Sequence, residues 1–300
     1  MAIVVGGEAL VDLVPHADHL AAHPGGGPYN TARTLGRLEQ DVHFLGCLSD
    51  DGFGRQLRAE LEADRVKLDT VVSTARPTTL ALAEVDASGA ASYRFYTEGT
   101  SAPALTPEAA LAALPQDVDV LHVGTLGLIM EPTASALRRV VEAVADRALI
   151  MVDPNCRPTF IADRDAYREQ LSPVLRHAHV VKVSGDDLEY LSPGVGMVDA
   201  ARALDVPVAL VTLGGDGALI VTPEDEAHVD APKITVVDTI GAGDAFGGGF
   251  LTYVAEHGRG VLDDSEAVRA ATRFACVVAA RTCERAGASP PRRSDLDGDL

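Results

Sequence analysis

Short, mainly apolar runs recur at residues 120–123, 148–152, 180–183 and 208–212, and helical periodicity fills most of the gaps between them. Such runs fit strands buried on both faces. Strands that alternate with helices call for a mainly parallel sheet covered on both sides, so the expected class is a doubly wound α/β fold. The rhythm begins early, with a strand at 3–5, a helix at 28–39, a strand at 42–47 and a helix at 51–64 in which Leu57 and Leu61 stand four apart. It closes with helical patterns at 242–256 and 265–286; Ser265 is placed to cap the second, and Gly287 follows its end. A chain of 300 residues holds one large α/β domain or two ordinary ones, and 47% hydrophobic residues are enough for a substantial core.

One stretch breaks the rhythm. Residues 78–86 and 91–96 are β-prone runs joined by Ala87-Ser88-Gly89-Ala90, the pattern of a hairpin. An antiparallel insertion in a parallel protein is either a small lid or interface sheet, or an edge hairpin without function. The tail at 290–300 carries two prolines, two arginines and three aspartates and is expected to fray.

The formal net charge is −19, and the only lysines are Lys67, Lys182 and Lys233. Nucleic-acid binding needs a basic footprint that displaces condensed counterions, so no nucleic-acid partner is expected. A polyanionic ligand would have to be met by aimed backbone dipoles and a metal ion. Cys47, Cys156, Cys276 and Cys283 are scattered, which argues against a disulfide framework or a zinc site. The N-terminus reads as a first strand rather than a leader, and no run is long enough to span a bilayer. The expected location is the cytoplasm, with no membrane partner.

The strongest chemical signal is Asp238-Thr239-Ile240-Gly241-Ala242-Gly243-Asp244-Ala245-Phe246. A β-prone run at 234–237 leads into it and a helical pattern leaves it, the order strand, glycine turn, helix. The first N–H groups of a helix have no intrahelical partner, and its dipole favours negative charge there. Gly241 and Gly243 let backbone approach a phosphate with no Cβ in the way. Asp244 sits in the first turn of the same helix. A carboxylate there is unfavourable beside a phosphate unless it has a task, and taking the proton of a hydroxyl nucleophile is one. A bare Gly-x-Gly-Asp is more simply a capped helix; the whole string favours the functional reading. Other phosphate motifs fail: no lysine follows a glycine as a Walker A loop requires, and Phe246 stands where a dinucleotide fingerprint needs its last glycine.

Weaker signals surround it. Pro24-Gly25-Gly26-Gly27-Pro28-Tyr29-Asn30 exposes backbone amides and offers the Asn30 amide one turn into a helix, which suits a polyhydroxylated ligand or is simply a flexible loop. Asp12 is a lone carboxylate able to accept from vicinal hydroxyls, or a surface aspartate. Asp153-Pro154-Asn155-Cys156-Arg157-Pro158 crowds polar groups beyond the carboxyl end of a strand, where α/β sheets bind ligands; two prolines also make a rigid turn. Lys182-Val183-Ser184-Gly185-Asp186-Asp187 follows another strand, and its aspartates either influence a hydrated Mg²⁺ or cap the next helix. Thr212-Leu213-Gly214-Gly215-Asp216-Gly217 is a turn between two strands against which a nucleotide can pack. The nine histidines form no metal-ligand pattern.

Together these motifs resemble the ribokinase-like (pfkB-type) carbohydrate kinase family, in the expected order from Gly7 to Ser289. The resemblance implies one α/β kinase domain over 1–300, with a β-lid at about 74–100 and part of 9–16 closing over a sugar. It implies ATP as phosphoryl donor with Mg²⁺, Asp244 as base, and the Gly241, Ala242 and Gly243 amides as an anion hole. Asp12, Gly26 and Asn30 would hold sugar hydroxyls, with Tyr96 of the lid and Arg157 beside them. Lys182, Ser184, Thr212, Gly214 and Gly217 would serve the nucleotide. Ser184 and Asp187 fall on the family's Asn-x-x-Glu motif and depart from it, which touches Mg²⁺ and phosphate handling rather than the reaction; Asp187 would act on the metal indirectly. Asp238 falls where some members bind a monovalent cation such as K⁺.

Within the family the chain is most similar to bacterial fructokinases, on residues 7–12, 95–100, 153–158 and 182–188. Ribokinases carry a lysine where Gly27 stands, and kinases of 2-keto-3-deoxygluconate an arginine where Thr97 stands. The expected activity is therefore phosphorylation of fructose. The alternatives are a kinase for ribose, 2-keto-3-deoxygluconate or a nucleoside such as adenosine, a non-catalytic sugar-binding regulator on the same fold, and a dinucleotide-dependent oxidoreductase, which the missing fingerprint disfavours. The lid edge offers a surface through which two subunits would pair as a homodimer.

Overall fold

The computed structural model describes residues 1–16, 18–85 and 91–296. Its main sheet runs, in spatial order, β14 (Glu226–Val229), β13 (Ala218–Val221), β12 (Val208–Thr212), β11 (Val180–Ser184), β10 (Leu149–Asp153), β9 (Val120–Gly124), β1 (Ala2–Gly6) and β4 (Asp41–Leu45). From β12 to β4 every neighbouring pair is parallel. β13 and β14 extend that sheet in antiparallel fashion. Successive strand residues point to opposite faces, and both faces here are apolar. Ile3 and Val5 enter one core and Val4 the other; Leu149 and Met151 enter the first, Ile150 and Val152 the second.

The first core is covered by α1 (Gly27–Arg37), α2 (Gly52–Ala63), α8 (Ala242–His257) and α9 (Ser265–Cys283). The second is covered by α3 (Pro107–Ala113), α4 (Thr133–Val144), α5 (Arg164–Leu175), α6 (Gly185–Leu191) and α7 (Met197–Arg202). Strand order reverses at β1: the chain moves outward to β4 on one side and from β9 to β12 on the other. The loops leaving β1 and β9 therefore diverge and open a crevice at the carboxyl ends, the place where doubly wound sheets bind ligands.

A second sheet stands over that crevice, in the order β3 (Leu20–Gly25), β2 (Leu10–Pro15), β7 (Leu80–Val85) and β8 (Ala91–Tyr96). The expected hairpin is β7 and β8, antiparallel with Leu80 opposite Tyr96; its connector at 86–90 lies outside the described residues. The lid is larger than the sequence indicated, because β3 also belongs to it. Its residues, Leu-Ala-Ala-His-Pro-Gly, have little strand propensity, and Pro24 is tolerated because β3 lies at the sheet's edge. β5 (Cys47–Ser49) and β6 (Val72–Thr74) form a separate small parallel pair, so the expected strand at 42–47 is divided at Gly46.

Three other expectations change. Residues 234–237 are extended but join no sheet, since the N–H groups of Val237 and Asp238 both bond the Cys283 carbonyl at the end of α9. α9 is capped by Asp264, whose carboxylate accepts from Glu266 and Ala267 N–H, and it stops at Cys283 rather than continuing to 286. The tail does not fray through Leu296: that side chain is fully buried with Leu38, Ala245, Phe274 and Val278, and Arg285 pairs with Asp295 at 2.9 Å. Residues 297–300 lie outside the described residues.

Candidate active site

The glycine turn ahead of α8 is the geometric centre of the molecule's polar chemistry. Gly241 caps the helix in the left-handed region (φ 77°), and a Cβ there would come within 2.7 Å of the Ala288 side chain, so both conformation and space require glycine. Asp244 follows in the first turn. Asn30 Nδ2 donates to its Oδ2 at 2.9 Å, and the Thr31 hydroxyl donates to its backbone carbonyl at 3.3 Å. These bonds join α8 to the start of α1, which Gly26 opens at φ 110° with its missing Cβ facing the Glu8 carbonyl.

On one side of the turn lies a cavity of about 250 Å³ at the β1–β9 crevice. Asp12, Gly26, Asn30 and Arg157 line it, four of the five residues expected to hold a sugar, together with Gly241 and Asp244 of the expected anion hole and base. Burial pushes the Asp244 carboxyl up to about 6, with the Lys182 ammonium and the Asn30 amide opposing. Burial, followed by the facing charge of Asp244, likewise raises Asp12 to about 6 against the pull of Arg157. Asn30 Oδ1 is buried with no hydrogen-bond partner among the described residues. The site thus holds carboxylates near their titration range, a free amide oxygen and a helix N-terminus around one point.

On the other side lies a slot of about 220 Å³ with mostly apolar walls. Thr212, Gly214 and Gly217 from the β12–β13 turn line it, together with Ala242 and Gly243 of the glycine turn. Ile234, Val236, Ala279 and Cys283 supply apolar surface. This explains the β-prone run that is not a strand: Val236 is exposed because it faces the slot.

Other expected residues land elsewhere. Tyr96 does not reach the cavity; it is 49% exposed, while Tyr93 and Phe95 line the wall. The reason is the pleat: 93 and 95 share a face of β8, and 96 has the opposite one. Lys182 lines neither space. Its ammonium pairs with Asp153 at 2.6 Å in a nearly water-free contact below the turn. Ser184 and Asp187 form a capping box at the start of α6, and the other Asp187 oxygen accepts the Cys156 N–H at 2.6 Å, so the helix-cap alternative describes this pair. Asp238 accepts Ile240 N–H at 3.0 Å and Gly287 N–H at 2.8 Å, fastening the segment before the turn to the loop after α9.

Residues to which the sequence assigned no individual role also line the cavity, among them Glu8, Tyr93, Phe95, Thr125 and Asn155. Thr125 (φ 57°) and Asn155 (φ 38°) hold left-handed backbone, a strain that tends to cluster at functional sites. Asn155 carried a signal, since asparagine tolerates that region and stood in a polar turn. Thr125 carried none.

Residues 3–295 match the pfkB family carbohydrate kinase profile. A fructokinase of Rhizobium leguminosarum bv. trifolii is 34% identical over 257 residues, covering 83% of this chain and 78% of that protein. Among solved structures, a fructokinase with bound ATP from Xylella fastidiosa superimposes with a TM-score of 0.92 at 27% identity, over 99% of this chain and 97% of that one. The aminoimidazole riboside kinase of Salmonella enterica, complexed with aminoimidazole riboside and an ATP analog, gives a TM-score of 0.88 at 27% identity, covering 99% of each chain.

Proposed function

Because this chain belongs to the pfkB family of carbohydrate kinases, we propose that it transfers the γ-phosphoryl group of ATP to a hydroxyl of fructose, with Asp244 as the base. The observation that carries this reading is the shared wall: Gly241 and Asp244 face the polar cavity while Ala242 and Gly243 face the apolar slot. Sugar in the first and nucleotide in the second would meet at the α8 N-terminus.

Phosphoryl transfer has a loose transition state, so positioning and charge stabilisation supply most of the catalysis. Asp12, Asn30 and the Gly26 amide orient the sugar, Asn30 through its unpaired Oδ1. Asp244 takes the hydroxyl proton as the new bond forms. The first N–H groups of α8 meet the charge that grows on the phosphoryl oxygens. Among the described residues no three His, Cys, Asp or Glu side chains converge as a metal cage, so the Mg²⁺ of this proposal travels with the nucleotide phosphates, as that ion commonly does. Lys182 contributes as a buried positive charge near Asp244 rather than by touching the nucleotide. The monovalent-cation reading of Asp238 rests on its position at the head of the turn.

Fructose is favoured by the similarity to fructokinases and by the lid. Arg94 turns outward to pair with Glu84 at 2.8 Å, so β8 brings no guanidinium to meet an acidic sugar. The likeness to aminoimidazole riboside kinase supports a second reading, a nucleoside as acceptor. The proposed setting is the cytoplasm, where ATP is abundant; among the described residues no helix is long and apolar enough to cross a membrane. A homodimer through the lid is proposed on the edge positions of β3 and β8.

The test is ADP release with Mg·ATP against fructose, ribose, glucose, 2-keto-3-deoxygluconate, adenosine and aminoimidazole riboside. Turnover on fructose far above the rest is the expected result. Preference for a riboside moves the acceptor to the second reading, and no turnover on any member overturns the kinase assignment for this panel.

A further inference from the structure

Glu8 is a buried carboxylate that the reaction derived above does not use. It follows β1, is 2% exposed, and forms no salt bridge among the described residues. Taking such a charge out of water is costly unless its oxygens are met. They are: Oε1 accepts the Gly27 N–H at 3.2 Å and the Thr125 hydroxyl, and Oε2 accepts the Gly127 N–H at 2.8 Å. These donors lie on opposite lips of the crevice. Gly27 is the first residue of α1, whose N-cap, Gly26, has no side chain to cap it. Glu8 therefore supplies, from the loop after β1, an acceptor for the first N–H of α1 where Gly26 has no side chain to offer one. Thr125 and Gly127 belong to the loop after β9, where Thr125 is held at φ 57°. A Cβ on Gly27 would collide with the Thr125 methyl, so the two lips are already in contact.

One turn beyond Gly27, Asn30 donates to Asp244. The chain of contacts is thus Glu8, α1, Asn30, base. We propose that Glu8 is a positioning residue that clamps the two lips of the sugar crevice and sets where the Gly26 amide and Asn30 stand relative to the acceptor hydroxyl. This rests on the sugar-kinase reading. Burial raises the Glu8 carboxyl to about 7, in keeping with a group kept from water on every side.

A carboxylate that merely stapled the fold would affect stability without distinguishing the two substrates. The experiment is steady-state kinetics of Glu8→Gln on the preferred sugar. The amide keeps the shape but offers one acceptor oxygen in place of two. Sugar KM should rise about tenfold, the equivalent of one charge-assisted hydrogen bond, while nucleotide KM stays within about twofold. An unchanged sugar KM, or equal rises in both constants, overturns the proposal. Should Glu8→Gln fail to fold, Thr125→Val removes one donor at nearly constant shape and is judged by the same split. Wild-type turnover is measured first: its absence sinks the kinase reading itself, whereas turnover without the split sinks only the role of Glu8.

Discussion

Asp244 carries the proposed chemistry because it stands at a helix N-terminus, beside an amide donor, facing the polar cavity. Asp244→Asn keeps size and polarity and removes the base. Its kcat should fall roughly 10²–10⁴-fold, the range general bases contribute, while calorimetry finds nucleotide affinity unaltered. Turnover close to wild type would remove Asp244 from the mechanism. The same carboxyl sets a pH dependence. A base must be ionised, and burial holds Asp244 at about 6; kcat/KM on the sugar should therefore decline as pH falls through 6. Asp12 is also raised to about 6, in part by the charge of Asp244; like charges titrate anticooperatively, so the acid limb should be broader than a single group gives. A limb centred near 4 would mean that neither carboxyl feels its burial.

β8 shows how one element assigns roles to adjacent residues. Its pleat gives Tyr93 and Phe95 to the cavity, where Phe95 also meets Phe160 edge-on at 5.7 Å, and sends Arg94 and Tyr96 outward. Aromatic faces suit the C–H surface of a sugar ring. Phe95→Ala should raise sugar KM at least about tenfold, in line with the loss of apolar contact in a pocket, and Tyr96→Ala should leave it within about twofold. Equal effects would mean that the lid pairs in another register when ligand binds. The segment at 234–237 teaches the complementary lesson. Its valines have strand propensity, yet the Val237 N–H bonds the Cys283 carbonyl at the end of α9 and Val236 faces the apolar slot. Propensity reports a preference for extended backbone, not the presence of a neighbouring strand.

The segment at 290–296 is packed into the fold. Leu296 is buried against Leu38 at the end of α1 and against α8 and α9; α1 carries Asn30 and α8 carries Asp244. Leu296→Ala should cost about 2–5 kcal/mol, the usual range for a buried leucine, read as a lower urea midpoint at constant slope; an unmoved midpoint would mean the tail is detached in solution. Sequence alone determined the doubly wound class, since strands buried on both faces read as apolar runs, and it determined the glycine turn with Asp244, since a helix N-terminus is built from contiguous residues. It also pointed to Asp12, Gly26, Asn30 and Arg157, each of which had a bland local alternative, and the four converge in one cavity. What tertiary structure decided was of another kind. Asn30 and Asp244 touch across 214 positions of chain. Glu8 bonds the first N–H of α1 from the loop after β1, β3 joins the second sheet despite poor propensity, and Tyr93 rather than Tyr96 faces the polar cavity. Periodicity and turn chemistry act over a few residues and can be read in order. The facing of a pleat and the pairing of remote groups depend on which elements pack together, and that is set by the burial of the whole chain at once.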